Sequence, residues 1–283
     1  MPFLDKMKAL LDRRGFRFAL IPLVSHLARA RDKGVNKVFY DGGVWIHATN
    51  AGYFAYHQPF VRLDMAQMDK LARAHFFWGY HPRPGDVVMD VGAGVGEEAL
   101  TFSRAVGERG KVICIEAHPR TYRCLAKLAH YNRLENVIPI HQAVTETSCG
   151  TAMIEDSDAY LRNRLNPAKG IPVPATTIDT IHQKLRLRRI HFLKMNIEGA
   201  ERFAIRGMSE TLNQTEVVCI SCHDFLAAVT GDDALRTKDT VKQFIQDNGF
   251  NIVERLDPAL PLYVRDQVWG YNNQLMKARR SAS

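Results

Sequence analysis

Residues 89–98 read MDVGAGVGEE, a glycine turn with two carboxylates directly behind it. Glycine lets a turn between a strand and a helix approach a ligand without a Cβ collision, and the free N–H groups there usually hold a phosphate. Gly92, Gly94 and Gly96 give G-x-G-x-G, whereas the dinucleotide fingerprint requires glycine at 97, where Glu97 stands. Glu97 and Glu98 sit at the positive end of the next helix and would repel a second anion. The dipole alone favours one such acid at any helix start. A ligand with a ribose and a base, but with cationic groups in place of phosphates, suits this charge. S-adenosylmethionine is such a ligand; NAD, FAD and ATP are not.

Asp90 ends the strand ahead of the turn, placed to meet the methionine end of that ligand directly or through water. Glu116 ends the next strand, close to the offset of about 20 residues at which nucleotide folds carry a ribose-binding acid. The expected cofactor set is Asp90, Gly92, Ala93, Gly94, Glu97, Glu116, Ala117, Gln142, Ala143 and Asn196, with Gln142 and Ala143 at the adenine edge.

In HFLKMNIEG, period-two alternation sets Phe192, Lys194, Asn196 and Glu198 on one face of a strand. Unpaired charge at a sheet centre is costly, so Lys194 polarises a substrate or pairs with Glu198. The following strand ends in CHD, adding His223 and Asp224 to the same rim. If S-adenosylmethionine gives up its methyl group here, the accepting atom must approach in line, and positioning supplies much of the rate. A base helps, and His223 has a suitable ordinary pKa, with Asp224 or Glu198 to orient it. The expected catalytic set is His223, Lys194, Glu198 and Asp224; the plain alternative is a histidine that only hydrogen-bonds at a strand end. A divalent cation on Glu198, His223 and Asp224 is permitted by the spacing but not required. Acceptor contacts are expected by location from Tyr53, Tyr56 and His57, and from Arg162 and Arg164 in the polar stretch 156–170.

A frame must hold these groups. From Asp86 onward, short apolar runs such as VVMDV and VICIE alternate with helical spacing, which predicts a doubly wound, mostly parallel α/β sheet. Further strands are expected at 137–144, 190–197 and 216–222, a helix over 237–248, and two closing strands in NIVERL and LYVRDQVWGYNN. Residues 1–85 read as an added N-terminal cap: two helices broken around Gly15 and Pro22, a hairpin at the Asp-Gly-Gly of 37–48, and a helix from about 63. Residues 86–283 form the second domain.

The chain has 283 residues and a net charge of +8, most of it in residues 1–34. Such a start can touch anionic lipid, nucleic acid or a partner, and its plain reading is a solvated helical face. The longest apolar run, FALIPLVSHLA, is far short of the roughly 20 residues that span a membrane. Five scattered cysteines argue against a disulfide framework and for a reducing, cytoplasmic setting, peripheral to a membrane if the basic start binds lipid. Cys219 and Cys222 form a C-x-x-C without the second pair a zinc site needs, and read as buried strand cysteines.

VVMDVGAGVGEEAL, ICIEAHPRTYRCLAKLAHYN, VPATTIDTI and HFLKMNIEGAERFAIRGM occur in the order and at the spacing of the FkbM family of methyltransferases, which residues 84–225 resemble. The resemblance implies a Rossmann-like class I methyltransferase fold with a seven-stranded sheet. It also implies S-adenosylmethionine as donor and, commonly, a hydroxyl of a sugar or polyketide-like product as acceptor. One position departs: the family often has Asp where Asn196 stands. A metal-binding or basic role at 196 would be weakened; a hydrogen bond to cofactor or substrate would survive. The expected function is O-methyl transfer to a small molecule, probed against a non-catalytic S-adenosylmethionine-binding module and an RNA methyltransferase. Nucleic acid is disfavoured because the charge lies away from the inferred site and NIEG lacks the proline motif of base methylation. A homodimer is left open.

Overall fold

The structure, a computed structural model, describes residues 14–31, 34–61, 65–148, 150–157, 163–166 and 168–281. Arg162, Cys149 and the first thirteen residues of the basic start lie outside the described residues.

Helix α1 (Arg14–Arg31) runs through Gly15 and Pro22 without the expected break. An internal proline removes one backbone hydrogen bond, but Val24 and Ala28 of the same helix are buried against Val35 and Val38. Packing overrides local propensity here. Strands β1 (Val35–Asp41), β2 (Val44–Thr49) and β3 (Gly52–Tyr56) form an antiparallel sheet, one strand more than the expected hairpin. Gly42 and Gly43 join β1 to β2 with φ of 56 and 97°, the left-handed values that match a tight hairpin to strand twist. Helix α2 (Met65–Phe76) follows.

Then come β4 (Val87–Val91), α3 (Glu97–Val106), β5 (Lys111–Glu116), α4 (Pro119–Tyr131) and β6 (Val137–His141). Three short strands, β7 (Ala143–Val144), β8 (Gly150–Ile154) and β9 (Ile171–Thr176), make a separate sheet that the sequence did not signal. The alternation resumes with α5 (Ile178–Lys184), β10 (Ile190–Met195), α6 (Glu201–Ala204), α7 (Ser209–Leu212) and β11 (Thr215–Ser221). Helices α8 (Asp224–Thr230) and α9 (Lys238–Asp247) lead to β12 (Asn251–Glu254), α10 (Leu262–Arg265), β13 (Gln267–Tyr271) and α11 (Asn273–Ser281).

The central sheet has seven strands in the order β12-β13-β11-β10-β4-β5-β6. Those from β11 to β6 are parallel, and β13 is antiparallel to both neighbours. This is the expected Rossmann-like methyltransferase fold. Both faces are covered, which is why the strands read as unbroken apolar runs. Met89, Ile113, Leu193 and Val218 pack on one face with Ile181, Met208 and Ile245. Val88, Val112, Phe192 and Val217 pack on the other with Phe76, Phe102 and Leu125. The C-x-x-C is divided between the two faces: Cys219 belongs to the second core and Cys222 to the first, so the pair cannot share a metal. Among the described residues no helix is long and apolar enough to cross a membrane.

Candidate active site

Strand order reverses between β4 and β10, and a cavity opens beyond their carboxyl ends, where open α/β sheets bind ligands. The glycine turn lies hard against the end of β10. Gly92 has φ +76°, and a Cβ there would collide with the carbonyl of Asn196, so only glycine allows this approach. Gly92, Gly94, Glu116, Ala117, Gln142, Ala143 and Asn196 of the expected cofactor set all line the cavity.

Its lining is rich in hydrogen-bond acceptors. Glu116, at the end of β5, accepts from the N–H of Gly94 (3.0 Å) and of His118 (2.8 Å). Burial pushes its carboxyl up to about 7, against those two hydrogen bonds. The Gly94 N–H that a phosphate-binding turn would offer is therefore already taken by a carboxylate. The side-chain oxygens of Gln142 and Asn196 are buried with no hydrogen-bond partner among the described residues. A buried polar atom left unpaired is costly, and these oxygens await donors from a ligand.

Three expected cofactor residues do not face the cavity. Asp90 is fully buried with its Oδ1 2.8 Å from the Lys194 Nζ, and Ala93 is buried behind the turn. Glu97 accepts a hydrogen bond from the hydroxyl of Tyr56 (2.6 Å). Burial raises its carboxyl to about 7, an increase that the Tyr56 bond moderates. Glu116, not Glu97, is the acid that lines the cavity and would meet an anion there.

Lys194 does not pair with Glu198, nor is it on the cavity wall. Its ammonium is held by Asp90 and by the carbonyl of Gly92 (3.1 Å), inside the sheet. Period-two alternation keeps Phe192 and Lys194 on one face but does not extend to Glu198, because β10 ends at Met195 and Glu198 adopts φ +55°, rare for a residue with a side chain. That conformation carries Glu198 onto the cavity wall.

His223 is wedged between two carboxylates: Nε2 lies 3.3 Å from Glu198 and Nδ1 3.3 Å from Glu201. Burial opposes a charged imidazole, but the two carboxylates outweigh it and raise His223 to about 10. Two carboxylates that favour the charged imidazole suit His223 to a positioning role rather than the expected role as base. Asp224 does not orient it. Its carboxylate accepts the N–H groups of Thr237 (2.9 Å) and Lys238 (3.1 Å) and holds the start of α9. Among the described residues no group of three or more His, Cys, Asp or Glu is arranged for a metal ion.

A pH test follows from the sign of the His223 shift. The raised folded value means that the ion cluster stabilises fully below the ordinary imidazole value of about 6.5. That contribution is lost as pH rises through about 10. Stability measured by urea unfolding between those limits is expected to fall less steeply with pH in His223→Gln than in wild type. Equal slopes would show that the imidazole titrates normally.

Of the expected acceptor residues, Arg164 lines the cavity. Tyr53 is bound at the far end of α4 by Asn132, Tyr56 is engaged by Glu97, and His57 lies behind the wall, 3.4 Å from Thr121. Sequence reasoning missed His118 and Thr121, both on the cavity wall, and Glu201. Glu201 is fully buried and ties the turn after β10 to His223 through the N–H of Ile197 (3.0 Å). The signal for Glu201 was present: it is the second acid of the EGAE stretch, and a charge there needs a partner.

The sheet order and a ligand cavity at its switch point define a Rossmann-like methyltransferase fold. Residues 90–252, more than half of the chain, match the methyltransferase FkbM domain. The chain belongs to that family, as the resemblance of its motifs implied. Among solved structures it is similar to fibrillarin of Aeropyrum pernix crystallised with S-adenosyl-L-methionine, at 15% identity and a TM-score of 0.43, over 84% of this chain and 98% of that one. It is similar also to methyltransferase FkbM of Methylobacillus flagellatus, at 16% identity and a TM-score of 0.42, over 66% of this chain and 44% of that one. An O-methyltransferase of Bacillus cereus gives 8% identity and a TM-score of 0.44, over 74% and 82%. Scores and identities this low carry nothing about substrate or residue roles. No curated protein matches the chain.

Proposed function

We propose that this methyltransferase takes its methyl group from S-adenosylmethionine and transfers it to a hydroxyl of a small-molecule acceptor, a sugar or a related natural product. The observation that carries the donor is Glu116, a carboxylate on the cavity wall that has claimed the N–H of the glycine turn. A phosphate would meet a negative group and lose its donor. A ligand rich in donors (ribose hydroxyls, an adenine amine, an ammonium) would satisfy Glu116 and the unpaired oxygens of Gln142 and Asn196. Asn196 serves this purpose as well as aspartate would.

When bound, S-adenosylmethionine supplies a sulfonium methyl: its S–C bond breaks as an O–C bond forms to the acceptor, leaving a neutral thioether. The chain must position the acceptor and receive the hydroxyl proton. Glu198 is the group for that proton. It borders both this cavity and a second one beside it, and the charged His223 holds its carboxylate in place. His223 and Glu201 act as positioning residues.

Calorimetric titration with S-adenosylmethionine, its demethylated product and NADH tests the donor. Micromolar binding of both sulfur ligands without an NADH signal is expected. NADH binding, or no binding of either sulfur ligand, overturns the reading. Binding followed by no labelled-methyl transfer to any hydroxyl in a broad panel would favour a non-catalytic module.

A further inference from the structure

The second cavity shares Arg164, Leu165, Glu198 and Ala200 with the first. Glu155, Arg202, Phe203 and Asp232 are also on its wall. Three carboxylates and two guanidiniums thus face one space, and their pairing decides what it attracts. Arg164 lies 2.9 Å from Asp232 and 3.9 Å from Glu155. Glu155 also accepts from the Asn166 amide (3.0 Å), and Glu198 is held by His223. Every carboxylate is engaged.

Arg202 is not. Among the described residues it has no carboxylate partner, and its Nε is buried without an acceptor. Its guanidinium lies over the Phe203 ring, 4.6 Å from the centroid, and that ring is 37% exposed. Stacking on an aromatic face fixes the plane of the guanidinium. A fixed planar fork suits two oxygens of one anion, which it binds bidentately. A neutral ligand would leave both the charge and the buried Nε uncompensated.

We infer that the second cavity is the acceptor subsite, and that Arg202 binds an anionic group, a phosphate or a carboxylate, carried by an acceptor whose hydroxyl lies at Glu198. This rests on the methyl-transfer reading above. It narrows the acceptor to an acidic polyol, such as a sugar phosphate or a uronic acid. Arg202 selects; Glu198 reacts.

Calorimetry on the full chain saturated with S-adenosylhomocysteine tests it, with glucose 6-phosphate, glucuronate and glucose as probes at equal ionic strength. One or both anions are expected to bind more tightly than glucose, and which one does separates phosphate from carboxylate. A charged hydrogen bond contributes about 1.5–3 kcal/mol, so Arg202→Gln is expected to weaken the anion about 10- to 100-fold. Arg202→Lys, which keeps the charge but not the fork, should restore part of the loss. S-adenosylhomocysteine affinity should be unchanged in both variants, which also shows that they fold. Equal binding of all three probes, or anion binding untouched by Arg202→Gln, overturns the inference and leaves methyl transfer standing. Failure of S-adenosylhomocysteine to bind wild type sinks the methyl-transfer reading itself.

Discussion

Glu116→Ala is expected to weaken S-adenosylmethionine binding by about 100-fold or more, since two hydrogen bonds to a charged acceptor contribute about 1.5–3 kcal/mol each. The variant also frees the N–H groups of Gly94 and His118, which Glu116 now holds. Loosening of the turn and loss of ligand contacts would then act together. Glu116→Gln separates them in part: the amide keeps the shape and one acceptor oxygen, but its NH2 faces one of the two backbone N–H groups and the charge is lost. It should cost about tenfold. The pH dependence supplies a second signature. Burial raises the wild-type carboxyl to about 7, so a cationic ligand rich in donors finds the ionised form above that pH and the neutral acid below it. Affinity should fall as pH drops below about 7 in wild type and stay level there in Glu116→Gln. An alanine variant that binds as tightly as wild type would remove the main support for the proposed donor.

The second large effect is on turnover. Glu198→Gln is expected to lower kcat by about 100- to 10,000-fold, the usual contribution of a positioned general base, while S-adenosylmethionine affinity changes little. Glutamine retains the side-chain length and can still meet His223 through its carbonyl oxygen, but it cannot take the hydroxyl proton. A purely structural role predicts a different pattern: a lower melting temperature, with kcat and KM for the acceptor moving together. The acceptor for this assay comes from the hydroxyl panel. Unchanged kcat in a folded variant would remove Glu198 from the chemistry and leave positioning alone to account for the rate.

The glycine turn was legible because Gly92, Gly94 and Glu116 act through local geometry: a strand end, a positive φ and a fixed offset to the next strand. The alternation of apolar runs with helical spacing likewise announced the doubly wound sheet. The direction of Glu198 was not legible, because strand periodicity holds only while the strand continues, and β10 stops at Met195. Beyond it the left-handed residue Glu198 redirects the chain. Neither that turn nor the cross-strand pairing of Lys194 with Asp90 leaves a mark in sequence spacing. His223 illustrates a further limit. Its type suggested a base, but its protonation is set by Glu198 and Glu201, and only the fold brings Glu201 against it. Helix α1 escaped for the opposite reason, since a proline that should have broken it is outweighed by long-range burial.

The small N-terminal sheet has a consequence for how the molecule comes apart. Val38, Trp45, Ile46 and Phe54 share one buried cluster with Val95 and Leu100 beside the glycine turn and with Cys124 and Leu128 of α4. Asp41 adds an ion pair to Lys127, and Tyr56 a hydrogen bond to Glu97. A cap joined this way has no hydrophobic interior that belongs to it alone. Opening it would uncover the outer sides of α3 and α4, the helices that follow the glycine turn and Glu116. Among the described residues the two sides of the division near residue 85 share a buried core, and one unfolding transition for both is the expected outcome of urea denaturation.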